Sequence, residues 1–193
     1  MIKEIIKKTR SFRRFDQSYG IERNTLVELI ELARLSASPT NIQSLKYFIS
    51  CDTETNKKIF NTLKWASGLP EWGGPKEGEK PTAYIVMLGD NSLIPEGKRN
   101  YFEIEVGIQG QSIRIGATEK GLGSCPIAAI NRAQLAEELK IDLKFNIELV
   151  IAIGKPAEIV ELIEIQDNKT MYYRDSQGIH YVPKRSINEL IIN

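Results

Sequence analysis

The chain has 193 residues, of which 41% are hydrophobic and 26% charged, a composition typical of one globular domain with a real core. Its 26 basic and 25 acidic residues leave a net charge of +1, so bulk electrostatics favour neither nucleic acid nor a membrane. Without a signal peptide or a membrane-length apolar run, we expect a single cytoplasmic domain over residues 1–193 that binds neither.

Hydrophobic periodicity and turn residues place the elements along the chain. In chain order they are a helix over 2–8, a helix over 25–35, a strand over 46–51, a helix over 54–67, a strand over 83–88, a helix over 100–120, a helix over 132–139, a strand over 147–153, a strand pair around 175–178 and a short helix after Ser186. Capping boxes are predicted at Thr25 with Glu28 and at Ser186 with Glu189. The continuous apolar strands indicate a sheet covered on both faces.

The helix predicted over 100–120 is apolar on more than one side, which is typical of a buried helix. Phe102, Val106, Ile113 and Ala117 lie on one side, and Ile104, Ile108 and Ile115 lie on another. Gly107, Gly110 and Gly116 each cost up to about 1 kcal/mol in a helix interior. That cost is explained if another backbone packs very close, either in this chain's own sheet or in a second subunit.

Residues 68–81 are rich in proline and glycine and form a predicted loop or lid. Structureless loops of this length inside a compact domain are often functional. Trp72 on this loop is a candidate to cap a ligand pocket, and the alternative is an anchor in the core or at a hinge.

The chain offers no visible catalytic constellation of its own. His180 is the only histidine and is expected to be structural or exposed, so serine–histidine and cysteine–histidine arrangements are poorly supported. Cys51 and Cys125 form no C-x-x-C motif, and Cys125 is expected to be a small buried thiol. No protein-borne acid, base or metal site is predicted.

Residues 9–15, the arginine segment, carry the strongest functional signal. The segment contains three arginines, whose planar and permanently charged guanidinium groups suit phosphate: Arg10, Arg13 and Arg14. Thr9 and Ser11 add hydroxyl groups. The segment favours a phosphorylated ligand over a neutral one. The alternative is a solvated basic turn.

A second basic pair, Lys184 and Arg185, comes immediately before the predicted cap at Ser186. Helix N-termini favour anions, so this pair is predicted to meet Arg10 and Arg13 around one phosphate. The alternative is an exposed basic tail.

Residues 36–43, the polar loop, hold amides and hydroxyls that suit the edge of a heteroaromatic ring, and a plain turn is the alternative. Its candidate ligand contacts are Ser38, Asn41 and Gln43. An anion site without an acid, base or metal is explained by an organic cofactor that carries the reactive atoms.

Taken together, these segments resemble the FMN-dependent nitroreductase family. The resemblance is carried by residues 10–15 (RSFRRF), the loop 38–43 (SPTNIQ), the helix and turn 107–123, the strand and glycine turn 151–156 (IAIGKP) and the pair 184–185. Each motif is modest alone, but their order and spacing match over nearly the whole chain.

The resemblance implies an α+β fold with a mainly antiparallel sheet flanked by helices, and a homodimer with FMN at the subunit interface. It implies that Arg10, Ser11 and Arg13 hold the phosphate and ribityl side, with Arg13 stabilising the reduced flavin. The remaining implied cofactor contacts are Ser38, Asn41 and Gln43 from the partner subunit or in the binding loop, Pro126 and Ile127 along the ring, and Lys184 and Arg185 at the phosphate.

Three positions depart from the family's pattern. Thr9 stands where many members have a further arginine, and Leu45 replaces a frequent tryptophan. Ala128 and Ala129 stand where some members have Glu-Gly beside the flavin, which affects the contact near N5.

The predicted function is an FMN-dependent oxidoreductase that carries hydride from NADH or NADPH to a small electron-poor acceptor such as a nitroaromatic or quinone. One alternative is a flavin-binding sensor or sequestering protein without general reductase activity. Another is a specialised flavin enzyme on the same fold, such as a reductive dehalogenase or a flavin-fragmenting oxygenase.

Overall fold

The computed structural model describes residues 1–66, 68–69 and 72–193. The helices are α1 (Ile2–Lys8), α2 (Arg23–Arg34), α3 (Thr53–Asn61), α4 (Asn100–Glu119), α5 (Arg132–Leu139) and α6 (Ile187–Leu190), with a 3-10 turn at Pro39–Asn41. The strands are β1 (Phe15–Asp16), β2 (Leu45–Ser50), β3 (Ala83–Asp90), β4 (Gly123–Ile127), β5 (Phe145–Pro156), β6 (Val160–Glu164), β7 (Tyr173–Arg174) and β8 (His180–Lys184). The protein is α+β, as predicted.

The main sheet is antiparallel throughout. Strand β5 is the central strand, and β3 pairs with one of its edges. Strands β4 and β1 pair with successive parts of the other edge of β5. Strand β2 completes the sheet on the far side of β3. A smaller sheet follows, in which β8 runs parallel to β6 and antiparallel to β7.

Both faces of the main sheet are covered, which confirms the expectation from its continuous apolar strands. Ile85 and Ile151 face α2 and α4, and Val86 and Val150 face α3 and α5. All eight residues of β3 are buried. Each apolar side chain buried in this way contributes about 1.5–3 kcal/mol to the free energy of unfolding. Strands β3 and β5 therefore form the stable centre to which the loops are attached.

Helix α4 has one buried face and one exposed face within the chain. Phe102, Ile113 and Ala117 are buried, whereas Ile104 and Ile108 are 45% and 38% exposed. The expectation that this helix, apolar on more than one side, is buried is therefore met on only one of its sides within one chain.

Two glycines of α4 lie on different faces of the helix, Gly116 on the buried face and Gly107 on the exposed face. A Cβ on Gly116 would lie 2.3 Å from Cδ1 of Leu32, so close packing on α2 explains this glycine. A Cβ on Gly107 would meet nothing within 4 Å.

Several element boundaries differ from the prediction. Helix α2 begins at Arg23 with Glu22 as its N-cap, so the capping box predicted at Thr25 and Glu28 is wrong. Helix α3 ends at Asn61, six residues before its predicted end at Ser67, which lies outside the described residues. Strands β1, β4 and β6 were not predicted.

The boundaries of α1 and α5 are confirmed, as is the strand pair formed by β7 and β8. The capping box of α6 is present as predicted. The described part of the loop over 68–81 contains no helix or strand, and Pro70 and Glu71 lie outside the described residues. No helix in the described ranges is long and apolar enough to cross a membrane.

Candidate functional site

The arginine segment is attached to the edge of the main sheet. Ser11 forms a bridge with Ser124 of β4, and the backbone N–H of Phe12 donates to the Ser124 carbonyl at 3.0 Å. Phe15 is fully buried and packs on Gly154, where a Cβ would lie only 2.7 Å from the Phe15 ring. The segment between these anchors is therefore held in place, with its arginine side chains at the sheet edge.

Arg10 is partly buried and incompletely bonded. Its Nη2 donates to the carbonyl of Ile6 at 2.7 Å, while its Nε is buried without a hydrogen-bond partner in the described part of the chain. Burial lowers the pKa of the guanidinium. A buried donor left unbonded costs free energy, so this end of the segment suits an added acceptor.

Arg13 is held between two rings. Its Nη1 lies 3.3 Å from Nε2 of His180, and its guanidinium carbon lies 4.6 Å from the centre of the Tyr172 ring. His180 and Tyr172 also contact each other, with ring centres 5.2 Å apart. The small sheet thus carries two residues that orient Arg13, and neither was singled out as a site residue from the sequence.

His180 is fully buried, and burial, followed by the charge of Arg13, lowers its pKa to about 4. At neutral pH the imidazole is therefore uncharged, so Nε2 can accept a hydrogen bond from Arg13. Of the two expectations for His180, a structural role or an exposed position, its complete burial supports the structural role.

The pKa of His180 is lower in the folded protein than in the unfolded chain, where the imidazole takes up a proton near pH 6.5. Protonation below that pH therefore favours the unfolded chain. We expect the free energy of unfolding to fall by roughly 3 kcal/mol as the pH drops from about 6.5 to about 4. His180→Gln keeps an acceptor for Arg13 but does not titrate, so it should lose this dependence. Urea unfolding of both proteins across that range measures the difference, and parallel curves would contradict the prediction.

Glu158 fixes the backbone beneath the arginines. Its carboxylate accepts from the backbone N–H groups of Arg13 and Arg14, the latter at 3.1 Å, and from Nη2 of Arg174 at 2.7 Å. Its side chain is almost completely buried. The sequence carried no signal for Glu158, because it lies about 145 residues from the backbone that it binds.

Arg114 of α4 lies beside the arginine segment. Its Nε contacts Oγ of Ser124 at 3.4 Å, and its Nη1 donates to Oε1 of Gln111 at 3.1 Å. Among the described residues, Arg10, Arg13 and Arg114 form no salt bridge. The available signal for Arg114 was a charge between Ile113 and Ile115 on an apolar helix.

The polar loop has a strained backbone. Thr40, Asn41 and Gln43 adopt φ values of 50°, 56° and 51°, a left-handed conformation that is uncommon outside glycine. Oγ of Ser38 accepts from the backbone N–H of Gln43 at 2.9 Å, and the side chains of Asn41 and Gln43 lie near the surface. Such strain is concentrated at ligand sites in proteins and is consistent with the predicted role of this loop.

The polar loop and the arginine segment lie at opposite ends of β5. Leu45, just after the loop, pairs with Gly89 and through it with Asn146, whereas Ser124 pairs with Ile153. From Asn146 to Ile153 an antiparallel strand spans about 24 Å. One chain therefore does not bring the two predicted ligand surfaces together.

Pro126 and Ile127 form the end of β4. Pro126 is partly buried, whereas Ile127 packs into the core on the side of α3 and α5. The predicted contact of Ile127 with a ring therefore stays a prediction, because the residue is only 6% exposed. Cys125 is buried as expected, and burial raises its pKa to about 11.

Lys184 and Arg185 lie at the end of β8. Four residues of strand, about 13 Å, separate Lys184 from His180, and Arg185 contacts Asn168 at 3.1 Å and Glu189 at 3.2 Å. The N-terminus of α6 is already bonded to the Glu189 carboxylate. Within one chain Arg185 is therefore engaged away from Arg10 and Arg13, and the phosphate role of this pair stays a prediction.

A helix-covered antiparallel sheet with an arginine cluster at its edge defines an α+β protein with a candidate anion site. The nitroreductase family model matches residues 6–73 and 75–155, so the chain belongs to the nitroreductase family.

Relatives with the same fold are distant in sequence. The chain is 24% identical to the "Putative NAD(P)H nitroreductase MhqN" of Bacillus subtilis, over 78% of this chain and 86% of the relative. A nitroreductase family protein from Streptococcus pneumoniae matches with a TM-score of 0.70 and 18% identity over the full length of both chains. An FMN-dependent nitroreductase from Clostridium difficile matches with a TM-score of 0.64 and 23% identity, over 84% of this chain and 91% of that one.

Proposed function

We propose that this protein is an FMN-dependent oxidoreductase that takes hydride from NADH or NADPH and passes it to an electron-poor acceptor such as a nitroaromatic or quinone. The observation that carries the proposal is the group formed by Arg10, Arg13 and Arg114, which has no salt-bridged acid in the described part of the chain. The phosphate of FMN is an anion of the right class for these guanidinium groups. The names of the relatives from B. subtilis and C. difficile support the same reading.

The residues at the sheet edge fit the two ends of the cofactor. Arg10, whose Nε is buried and unbonded, would bind the phosphate together with the hydroxyl of Ser11. Bound FMN would supply hydride chemistry at its N5 atom, for which the residues that the structure describes form no constellation of their own. The protein's tasks are then to hold the ring, to control access and to place charge.

Arg13 would place positive charge at the N1/O2 side of the ring. Nε2 of the uncharged His180 and the face of Tyr172 orient its guanidinium before any ligand arrives. A charge that is already oriented stabilises negative charge on the ring without reorganisation during the reaction.

A cavity of about 710 Å³ near Arg14 offers space for a small acceptor. It is lined by Trp72, Arg174 and Gly178, among others, and Arg174 stacks on the Trp72 ring at 4.3 Å. We propose that Trp72 bounds the acceptor side of the site, in keeping with its place on the long loop.

We further propose that the active form is a homodimer with FMN at the interface. The polar loop lies about 24 Å from the arginine segment along β5, so Ser38, Asn41 and Gln43 would contact a flavin held by the partner's arginines. The exposed Ile104 and Ile108 flank Gly107, whose missing side chain leaves room for a close neighbour.

The purified protein is expected to be yellow, and its flavin absorbance should bleach when NADH or NADPH is added without oxygen. Reoxidation by a nitroaromatic or quinone would then restore the colour. Absorbance between 350 and 500 nm, about the range of oxidised flavin, measures both steps. A colourless protein that takes up no added FMN would contradict the proposed function.

A flavin-binding protein without general reductase activity is the second candidate. Ala128 and Ala129, just beyond β4, are exposed and carry no polar side chain that could contact the ring. Stoichiometric flavin combined with negligible turnover of nitro, quinone and ferric acceptors would favour it.

A further inference from the structure

Arg114 is a charged residue beside the arginine segment that was not among the candidate site residues of the sequence. It is partly buried against the sheet edge, and its contacts are neutral: Oγ of Ser124 and Oε1 of Gln111. No carboxylate pairs with it among the residues that the structure describes. A guanidinium withdrawn from water against neutral groups is costly unless an anion compensates it.

A single residue ties Arg114 to the arginine segment. Ser124 binds the backbone N–H of Phe12 with its carbonyl and bridges to Ser11, while its hydroxyl contacts Nε of Arg114. The charge of Arg10 is close enough to help burial lower the pKa of Arg114. Two like charges, each partly buried, thus lie close to each other near the bridge between Ser11 and Ser124.

Two other polar side chains of the arginine segment, those of Thr9 and Arg13, are already engaged by neighbouring groups. The hydroxyl of Thr9 is buried and donates to the carbonyl of Ile5 at 2.8 Å, so it does not face a ligand. The guanidinium of Arg13 is directed to His180 and Tyr172, and its Nη1 also donates to the backbone carbonyl of Ser11 at 3.3 Å. Arg10 and Arg114 are the cations of this region whose guanidinium groups do not contact the small sheet.

We propose that Arg114 binds the FMN phosphate together with Arg10 and Ser11, an inference that rests on the proposed function. Its planar fork can offer two parallel hydrogen bonds to phosphate oxygens. The anion would also relieve the repulsion between the two guanidinium groups. Helix α4, whose middle turns pack on the sheet, would thus supply a phosphate contact from outside the arginine segment.

The test compares FMN with riboflavin, which has the same ring and ribityl chain but no phosphate. Dissociation constants for both flavins are measured by fluorescence quenching with flavin-free wild type and with Arg114→Met. We expect the substitution to weaken FMN at least about tenfold, the usual size of a lost charge-assisted hydrogen bond, and to leave riboflavin unchanged. The flavin-free variant should melt no lower than wild type, because a like-charge repulsion is removed.

Arg34→Met is the matched control, since Arg34 is an exposed arginine that pairs with Glu31 on α2. It should leave both dissociation constants unchanged. If Arg114→Met does not fold, Arg114→Gln is measured in the same way.

An unchanged preference for FMN over riboflavin in the folded variant would overturn the assignment of Arg114 while leaving FMN binding intact. An equal loss of both flavins would also overturn it, because it would show a structural role. Wild type that binds neither flavin would refute the proposed function itself.

Discussion

Chains in which Arg10 and Arg13 are both replaced by alanine are expected to purify without flavin. Each guanidinium would lose charge-assisted hydrogen bonds worth about 1.5–3 kcal/mol, so FMN affinity should fall by at least about a hundredfold. The two residues would act at different ends of the proposed cofactor, since Arg10 lies toward α1 and Arg13 toward the small sheet. The flavin-to-protein absorbance ratio and titration with added FMN measure the loss.

Arg14→Ala is the matched control because Arg14 belongs to the same basic run. Its Nε lies 3.6 Å from the Glu79 carboxylate, and its side chain lines the cavity of Trp72 rather than facing Ser11. This variant should keep its flavin. Stoichiometric FMN in the double variant would refute the assignment of both Arg10 and Arg13.

The centre of the fold was predictable because local sequence and tertiary structure agree there. The continuous apolar runs of β3 and β5 are buried on both faces, and the period of α4 is that of a long helix. Where tertiary contacts decide, the prediction was wrong. Helix α3 stops at Asn61 because Leu63 pairs with Ile130 and the backbone N–H of Lys64 donates to Ala129.

Tertiary contacts also explain the start of α2 and the unpredicted strand β4. Ile21 is buried immediately before α2, and this anchor lets the helix begin at Arg23 instead of at a side-chain cap on Thr25. Strand β4 contains Gly123 and Pro126, which lower strand propensity, but its pairing with β5 outweighs that preference.

The candidate site was predictable only where its residues lie in one segment. Arg10, Ser11 and Arg13 are neighbours in sequence, so their shared chemistry is visible before folding. Glu158 and His180 come from distant parts of the chain and carry no local motif. Their roles depend on the position of the small sheet, which periodicity does not specify.

Placing a charge on the exposed face of α4 is expected to separate the subunits of the proposed dimer. Ile108 is 38% exposed and lies beside the open surface of Gly107, so Ile108→Arg should cost little within one chain. In a two-fold interface the same change occurs twice and buries two like charges, which costs several kcal/mol. Sedimentation should show dimeric wild type and monomeric variant.

Leu143→Arg is the control, because Leu143 is an apolar residue that is 98% exposed, outside α4. It should stay dimeric and yellow. Ile108→Arg should lose FMN as well, since half of each proposed site comes from the partner. A monomeric wild type that binds FMN at full stoichiometry would contradict both the dimer and the shared site.

Mixed subunits test the shared site directly. Chains carrying Arg10→Ala and Arg13→Ala lack the proposed phosphate and ring charges, and chains carrying Asn41→Ala and Gln43→Ala lack the polar loop. Each variant alone should bind FMN weakly. A heterodimer of the two brings intact arginines from one chain against an intact loop from the other, so it should recover one flavin per dimer. Recovery requires that the two surfaces, about 24 Å apart in one chain, meet across the interface. Failure of the heterodimer to recover flavin would contradict the proposal that the arginine segment of one chain and the polar loop of the other form one site.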